Sequence, residues 1–331
     1  MTKFFITAAV LSLGAAAGFA TAAQAADGPP MPWAWGVNTP PPAVLPPPAP
    51  PAAPVVPDNT KLLSLPGAKA QFTRAQIANR HAPADWYPED HPSMPPVVAN
   101  GRPPAVKACS KCHISSGAGH PESADIAGLP VGYVERQMAD FKNGNRKGAR
   151  ATSMLPIAKA VTDEEIAAAA QYYAGLKRTP WTKVVETDTV PRTRLGTGGM
   201  RFPIEDGGSE PIGKRIIEVP QVPERAELRD SRAGFIAYVP TGAIERGAAL
   251  VTTGGDGETT PCASCHGEEL RGKDEVPHIV GRSPMYVFRQ FNDVKAGTRA
   301  GPTAALMQQV VANLSQDDML AIAAYLASRG P

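Results

Sequence analysis

The chain has 331 residues, of which 43% are hydrophobic and 19% are charged. That length and composition can support roughly two compact domains. Its 33 Lys and Arg residues nearly balance its 31 Asp and Glu residues, which leaves a formal net charge of +2. Nucleic-acid-binding proteins usually carry a strong basic excess, so we expect no nucleic-acid partner.

The first 25 residues have the three parts of a secretory signal peptide. Lys3 supplies a positive start, residues 4–19 form an apolar stretch, and Ala23-Gln24-Ala25 has the small residues of a cleavage site. An uncleaved membrane anchor is the alternative, because the stretch is about long enough to span a bilayer. The small residues favour cleavage after Ala25, and we therefore expect a mature protein in the bacterial periplasm.

Residues 26–66 are predicted to form a Pro-rich, disordered arm. Runs such as Pro40-Pro41-Pro42 lack backbone donors and favour extended polyproline II over a packed core. The simplest interpretation is a semi-rigid spacer. Alternatively, Trp33 and Trp35 dock the arm on a partner or on a membrane surface.

The rest of the chain contains an internal repeat. Cys109-Ser110-Lys111-Cys112-His113 recurs as Cys262-Ala263-Ser264-Cys265-His266, an offset of 153 positions (262 − 109). The repeat predicts a first domain at 67–180, a connector at 181–223 and a second domain at 224–331. The same offset, without a gap, pairs Gly128 with Gly281, Tyr133 with Tyr286, Gln137 with Gln290, Asp140 with Asp293, Arg146 with Arg299, and Met154 with Met307.

Each predicted domain ends in a helix with a clear start signal. Thr162 and Glu165 have the spacing of a capping box, and Ser315 and Asp318 form a shorter-armed version. Prolines between residues 92 and 96 must shorten or displace the helix before the first motif. No alternating stretch is long enough for a sheet, so an all-α fold is predicted. Further helices are predicted at 131–143, 244–252 and 285–295.

Cys-x-x-Cys-His is the attachment signature of c-type haem. The two thiols of a motif add across the two vinyl groups of one porphyrin, and the adjacent histidine, His113 or His266, supplies an axial nitrogen to the iron. A dithiol redox pair, a zinc site shared by the four cysteines and structural disulfides are the alternatives. None of them explains a histidine after both copies, or a paired methionine. We therefore predict two covalent haems c, attached through Cys109, Cys112, Cys262 and Cys265.

Met154 and Met307 are the predicted sixth ligands. Each lies 41 residues beyond its motif histidine (154 − 113 and 307 − 266) and eight residues before the residue that caps the terminal helix. That position predicts a loop able to fold over the open haem face. The alternative is that both methionines simply fill gaps in a core.

Supporting roles are predicted for a few other residues. The Pro277 carbonyl is a candidate acceptor for the second nitrogen of His266, whereas the first repeat has Ala124 at that place and its acceptor is expected to differ. Arg146 and Arg299 either neutralise haem propionates or are solvated charges at helix ends. The unmatched histidines are expected at the surface: His81, His91, His120 and His278.

The two motifs, a Tyr-x-x-x-Gln helix, a later Met and a capped terminal helix resemble small bacterial class I cytochromes c, and the tandem pair resembles dihaem cytochromes c. The resemblance covers most of residues 72–329. It implies an all-α fold around each haem and single-electron transfer between redox protein partners, a dehydrogenase or quinol-oxidising donor and an oxidase or cytochrome acceptor. The alternatives are a dihaem enzyme, such as a peroxidase or sulfur-compound oxidoreductase, and a cytochrome subunit of a dehydrogenase complex. Proline before Cys109 departs from the family pattern.

Overall fold

The structure is a computed structural model, and it describes Met1 and residues 32–35, 59–148 and 151–331. The chain divides into two compact units, residues 1–30 and 31–331. Apart from Met1, the first unit lies outside the described residues, and so do the predicted signal peptide and its cleavage site. Most of the predicted Pro-rich arm lies outside them as well. No helix in the described part is long and apolar enough to cross a membrane.

The first repeat consists mainly of short helices behind a two-stranded hairpin. Its last helix starts at the predicted capping box: Thr162 Oγ1 accepts from the Glu165 N–H at 3.2 Å, and the Glu165 carboxylate accepts from the Thr162 N–H at 2.9 Å. The helix before the first motif has only four residues, as the prolines predicted. The elements are β1 (Leu62–Leu63), β2 (Phe72–Thr73), α1 (Arg74–Ala78), α2 (Pro96–Ala99), α3 (Ser110–His113), α4 (Val131–Lys142), α5 (Met154–Ala160) and α6 (Asp163–Ala174).

The connector and the first residues of the predicted second domain are rich in strands, so the expectation of a chain without a sheet was wrong here. Strand β9 is central in a three-stranded sheet, parallel to β3 and antiparallel to β8. The sequence signal for strand β9 was short, because buried and partly buried residues alternate over only five positions. Its parallel partner β3 starts at residue 182, far away in the sequence. The elements are β3 (Thr182–Glu186), β4 (Thr189–Pro191), β5 (Thr193–Leu195), β6 (Arg201–Pro203), β7 (Ser209–Pro211), β8 (Ile217–Pro220), α7 (Pro223–Glu227) and β9 (Phe235–Val239).

From residue 243 onwards the second repeat is helical and confirms the helices predicted from its sequence. Helix α8 packs on the terminal helix α12 so closely that a Cβ at Gly247 would overlap the carbonyl of Ala321, which explains a glycine inside that helix. Ser315 caps α12, with Asp318 closing the capping box. The elements are α8 (Ala243–Thr253), α9 (Ala263–His266), α10 (Pro284–Lys295), α11 (Ala304–Val311) and α12 (Gln316–Ser328).

The two repeats meet about an approximate twofold axis. The N–H of Lys147 donates to the carbonyl of Thr298, and the N–H of Ala300 donates to the carbonyl of Asn145, both at 2.8 Å. The repeat offset relates the two bonds: the donors Lys147 and Ala300 are 153 positions apart, and so are the acceptors Asn145 and Thr298. The loops after α4 and α10 therefore face each other at the junction of the repeats.

Residues 32–35 form one turn of 3-10 helix against the second repeat. Trp33 is 4% exposed and its ring lies 4.9 Å from that of Phe288. The carbonyl of Ala34 accepts a hydrogen bond from Arg289 at 3.0 Å, and that of Trp33 accepts one from Arg201 at 3.2 Å. The interpretation of Trp33 as a free docking residue was wrong, because this indole is part of the chain's own core.

Candidate functional site

Both Cys-x-x-Cys-His motifs fold into a single helical turn, α3 in the first repeat and α9 in the second. In each turn the N–H of the histidine donates to the carbonyl of the first cysteine at 3.0 Å. All four cysteines are free thiols. Because the backbone turn is the same in both repeats, the two motifs can hold the same kind of group.

Both motif histidines are held by a backbone carbonyl eleven residues further along the chain. Nδ1 of His266 lies 2.7 Å from the carbonyl oxygen of Pro277, which confirms the predicted acceptor. Nδ1 of His113 lies 2.8 Å from the carbonyl oxygen of Ala124. The expectation of a different acceptor in the first repeat was wrong, because every residue offers a backbone carbonyl whatever its side chain.

These hydrogen bonds decide which imidazole nitrogen can bind a metal. A carbonyl only accepts, so Nδ1 of His113 and of His266 carries the proton and Nε2 keeps its lone pair. Burial lowers the pKa of both histidines. Both imidazoles are therefore held neutral, in the form that ligates a metal.

A cavity of about 990 Å³ lies beside the first motif and is lined by Cys112, His113 and Met154. Cys109 packs on the neighbouring hydrophobic core. The structure therefore brings the first set of predicted site residues to one place. Apolar side chains form much of the remaining wall, as a porphyrin ring requires: Ile126, Leu129, Met138, Phe141 and Ile157.

The paired methionines lie in helices, so the prediction that they occupy loops was wrong. Met154 begins α5, and Met307 lies inside α11. The sequence around Met307 is Ala-Ala-Leu-Met, whose residues have high helix propensity. Met307 and Cys262 pack against the same core. His266, in the same motif as Cys262, is buried at 8% exposure.

The matched arginines cross the junction between the repeats. Arg146 and Arg299 face each other as partners of an antiparallel bridge, so their interpretation as solvated helix-end charges was wrong. Each guanidinium reaches the tyrosine and the glutamine of the opposite repeat, roles that the sequence analysis missed. The cross-repeat bonds run from Arg146 to Gln290 Oε1 (2.8 Å) and Tyr286 Oη (3.2 Å), and from Arg299 to Gln137 Oε1 (2.9 Å) and Tyr133 Oη (2.6 Å).

The two guanidinium groups make a site for carboxylates. Their described side-chain hydrogen bonds all go to neutral Gln and Tyr groups. Burial and the charge of Arg299 lower the pKa of Arg146. Burial alone would raise the pKa of Tyr286, but Arg146 and Arg299 lower it to about 8. Two adjacent buried guanidinium groups can bind an anion, and a carboxylate suits the planar fork of a guanidinium group.

Two contacts between a glycine and an aspartate at the junction were not predicted. A Cβ at Gly148 would overlap the carboxylate of Asp293, and a Cβ at Gly301 would overlap that of Asp140. The glycines are related by the repeat offset, as are the aspartates, so a signal was present in the sequence. Glycine at both positions lets each aspartate approach the opposite repeat.

The surface prediction fails for His91, whose side chain is 5% exposed, and for His278. His278 is 4% exposed rather than solvated, and its Nε2 lies 3.3 Å from the Arg282 guanidinium. Desolvation lowers its pKa to about 2, so this histidine is neutral.

The part of the chain that the structure describes holds no group of three or more His, Cys, Asp or Glu residues arranged around a metal ion.

A helical turn with two thiols and an oriented imidazole, repeated once, defines a protein that attaches haem covalently. The family model described as "Cytochrome c" matches residues 244–330. The cytochrome subunit of sulfide dehydrogenase from Chlorobaculum tepidum is 32% identical over 102 residues, 31% of this chain and 90% of that protein. The chain belongs to the cytochrome c family, whose cofactor is haem c and whose activity is electron transfer.

Two other similar proteins match a larger part of the chain. A thiosulfate dehydrogenase electron acceptor from Stutzerimonas stutzeri is 27% identical over 236 residues, which cover 70% of this chain and 82% of that protein. The solved structure of cytochrome c4 from Acidithiobacillus ferrooxidans is 22% identical and has a TM-score of 0.44. It covers 66% of this chain and 97% of its own.

Proposed function

We propose that this chain is a periplasmic dihaem cytochrome c that passes single electrons between redox proteins and catalyses no reaction on a substrate of its own. One observation carries the proposal. The thiol pair, the carbonyl-bonded histidine, the methionine and the junction arginine all occur twice, at a constant offset of 153 residues (262 − 109). A duplicated site of this kind supports two haems rather than one.

The residues of each repeat would share the work in the same way. The histidine, oriented by its hydrogen bond to a carbonyl, and the methionine would both ligate the haem iron. When bound, haem supplies an Fe(III)/Fe(II) couple, and a thioether ligand raises its potential relative to a second imidazole. The proposed sets are Cys109, Cys112, His113 and Met154 in the first repeat, and Cys262, Cys265, His266 and Met307 in the second.

The junction arginines would bind the carboxylates of both groups. Arg146 lines the cavity of the first repeat, and so do Tyr286 and Gln290 from the second. A carboxylate beside Arg146 would therefore meet groups from both repeats.

The location follows from the N-terminus. The positive start at Lys3, the apolar stretch and the Ala-x-Ala site that ends at Ala25 support export and cleavage. Residues 26–66 would then form the N-terminal arm of the mature protein. Because Trp33 is buried in the second repeat, only the proline-rich part that follows it is left to serve as a spacer.

The donor is proposed to be a dehydrogenase. Two similar proteins are named as the electron acceptor of a thiosulfate dehydrogenase and as the cytochrome subunit of a sulfide dehydrogenase. These names favour the variant in which this chain accepts electrons from an enzyme that oxidises sulfur compounds. A dihaem enzyme would instead need an open iron position, and Met154 and Met307 are the proposed ligands at both irons.

A redox-titrated absorption spectrum of the purified holoprotein tests the proposal. We expect two haems per chain, a sulfur-to-iron charge-transfer band in the oxidised form, and slow carbon monoxide binding to the reduced form. Met154→Ala and Met307→Ala should each remove part of that band. Fast carbon monoxide binding to the unmodified protein would favour the enzyme, and a band that survives both substitutions would show that the methionine assignment is wrong.

A further inference from the structure

The two haem-attachment turns differ in what covers them. Arg229, just after α7, donates to the backbone carbonyls of Ser110, at 3.3 Å, and of Lys111. The Lys111 ammonium in turn donates to the carbonyl of Ile77 in α1 at 3.0 Å. The first turn is therefore covered by α1 and by the segment that follows α7, which both lie outside the haem-binding helices.

The second turn has no such cover. Its residues Ala263 and Ser264 match Ser110 and Lys111, and in the described part of the chain no side chain bonds their carbonyls. Ser264 and Cys265 are exposed, whereas Cys112 is partly buried. The thiol edge of the second site therefore opens directly to solvent.

The charge around the two turns differs in sign. Residues 103–122 contain two Lys and one Glu, a net charge of +1 (2 − 1). The matching residues 256–275 contain six Asp and Glu residues against one Arg and one Lys, a net charge of −4 (2 − 6). Five of the acidic side chains are exposed and lie within ten residues of Cys265: Asp256, Glu268, Glu269, Asp274 and Glu275.

We infer that the second turn is the docking port for a positively charged redox protein, and that the first site exchanges electrons with such partners mainly through the second. This inference rests on the proposed function and adds the chemistry of the partner to it. An acidic rim attracts a basic protein over a distance of about a Debye length and orients it on approach. The bare edge then allows the close contact that electron transfer needs.

The first experiment measures the rate at which cationic and anionic oxidants, tris(phenanthroline)cobalt(III) and ferricyanide, oxidise the reduced holoprotein. We expect a fast and a slow phase, with the fast phase quicker for the cation and slowed by salt. Glu268→Lys changes the charge by two units at about 10 Å from the docked cation. At an ionic strength of about 10 mM it should therefore slow the fast phase with the cation about tenfold. The matched control, Glu135→Lys, changes an exposed glutamate of α4 and should leave that phase unchanged.

The second experiment measures binding without electron transfer. Zinc-substituted mitochondrial cytochrome c is strongly basic and redox-inactive in the dark, and its Kd for the fully oxidised holoprotein is obtained by calorimetry. We expect Glu268→Lys to weaken binding about tenfold and Glu135→Lys to leave it unchanged.

These outcomes separate the inference from the proposed function. If both haems are present and Glu268→Lys changes neither the fast phase nor the Kd, or if Glu135→Lys has the same effect, the port is elsewhere and the inference is overturned while the dihaem assignment stands. If haem is missing from either repeat, the proposed function itself fails.

Discussion

Arg299→Gln should destabilise the junction between the repeats. The guanidinium donates three side-chain hydrogen bonds, to Gln290 at 3.0 Å, to Gln137 at 2.9 Å and to Tyr133 at 2.6 Å. Hydrogen bonds to a charged group contribute roughly 1.5–3 kcal/mol each, so the gross loss is roughly 4–9 kcal/mol. Removing one of two adjacent buried cations relieves repulsion and desolvation, which leaves a net loss of about 2–4 kcal/mol.

The assay is guanidinium chloride unfolding of the holoprotein, followed by haem absorbance and by far-ultraviolet circular dichroism. Arg299→Lys keeps the charge but cannot reproduce the planar fork, so we expect a smaller loss than for Arg299→Gln. Arg194→Gln is the control, because Arg194 is exposed in the connector, and it should cost less than about 1 kcal/mol. If Arg299→Gln unfolds within about 0.5 kcal/mol of the unmodified protein, the junction does not depend on this arginine.

Three other substitutions test the packing. Burial raises the pKa of Glu218 to about 7 from an unfolded value of 4.5. The contribution of this carboxyl group to stability is therefore fully present below about pH 4.5. It falls by up to about 3 kcal/mol as the pH rises to about 7. Denaturation midpoints across this range should show the fall, and Glu218→Gln should abolish it. Gly301→Ala should cost about 1–3 kcal/mol through overlap with Asp140, whereas Gly330→Ala, with open space around it, should be neutral in the same melts. Trp33→Ala should lower stability by about 3 kcal/mol, and a thermal midpoint that does not move would show that the N-terminal turn is not part of the core.

The haem-attachment turns and the capped helices could be predicted because their signals are local. A Cys-x-x-Cys-His turn needs five consecutive residues, and the capping box at Thr162 needs four. The offset between the repeats then carried each local assignment to a second place in the chain. The same offset was enough to pair Arg146 with Arg299, but it could not show that the two side chains face each other, because this depends on how the repeats dock.

The features that were missed depend on contacts between distant segments. Strand β9 alternates over only five residues, and its pairing with β3 crosses most of the connector. The burial of Trp33 depends on Phe288 and Arg289, more than 250 positions away (288 − 33). The loop prediction for Met307 failed for a different reason, since the distance to the terminal helix was given more weight than the helix propensity of the residues around it.

The central claim is that each repeat binds one haem covalently through its own pair of thiols. Intact mass spectrometry under denaturing conditions, on protein exported from a haem-maturing host, measures this directly. The account predicts a mass equal to that of the polypeptide from residue 26 onwards plus two haems, and plus one haem when Cys262 and Cys265 are both replaced by serine. A polypeptide mass with one haem or none for the unmodified chain would contradict it.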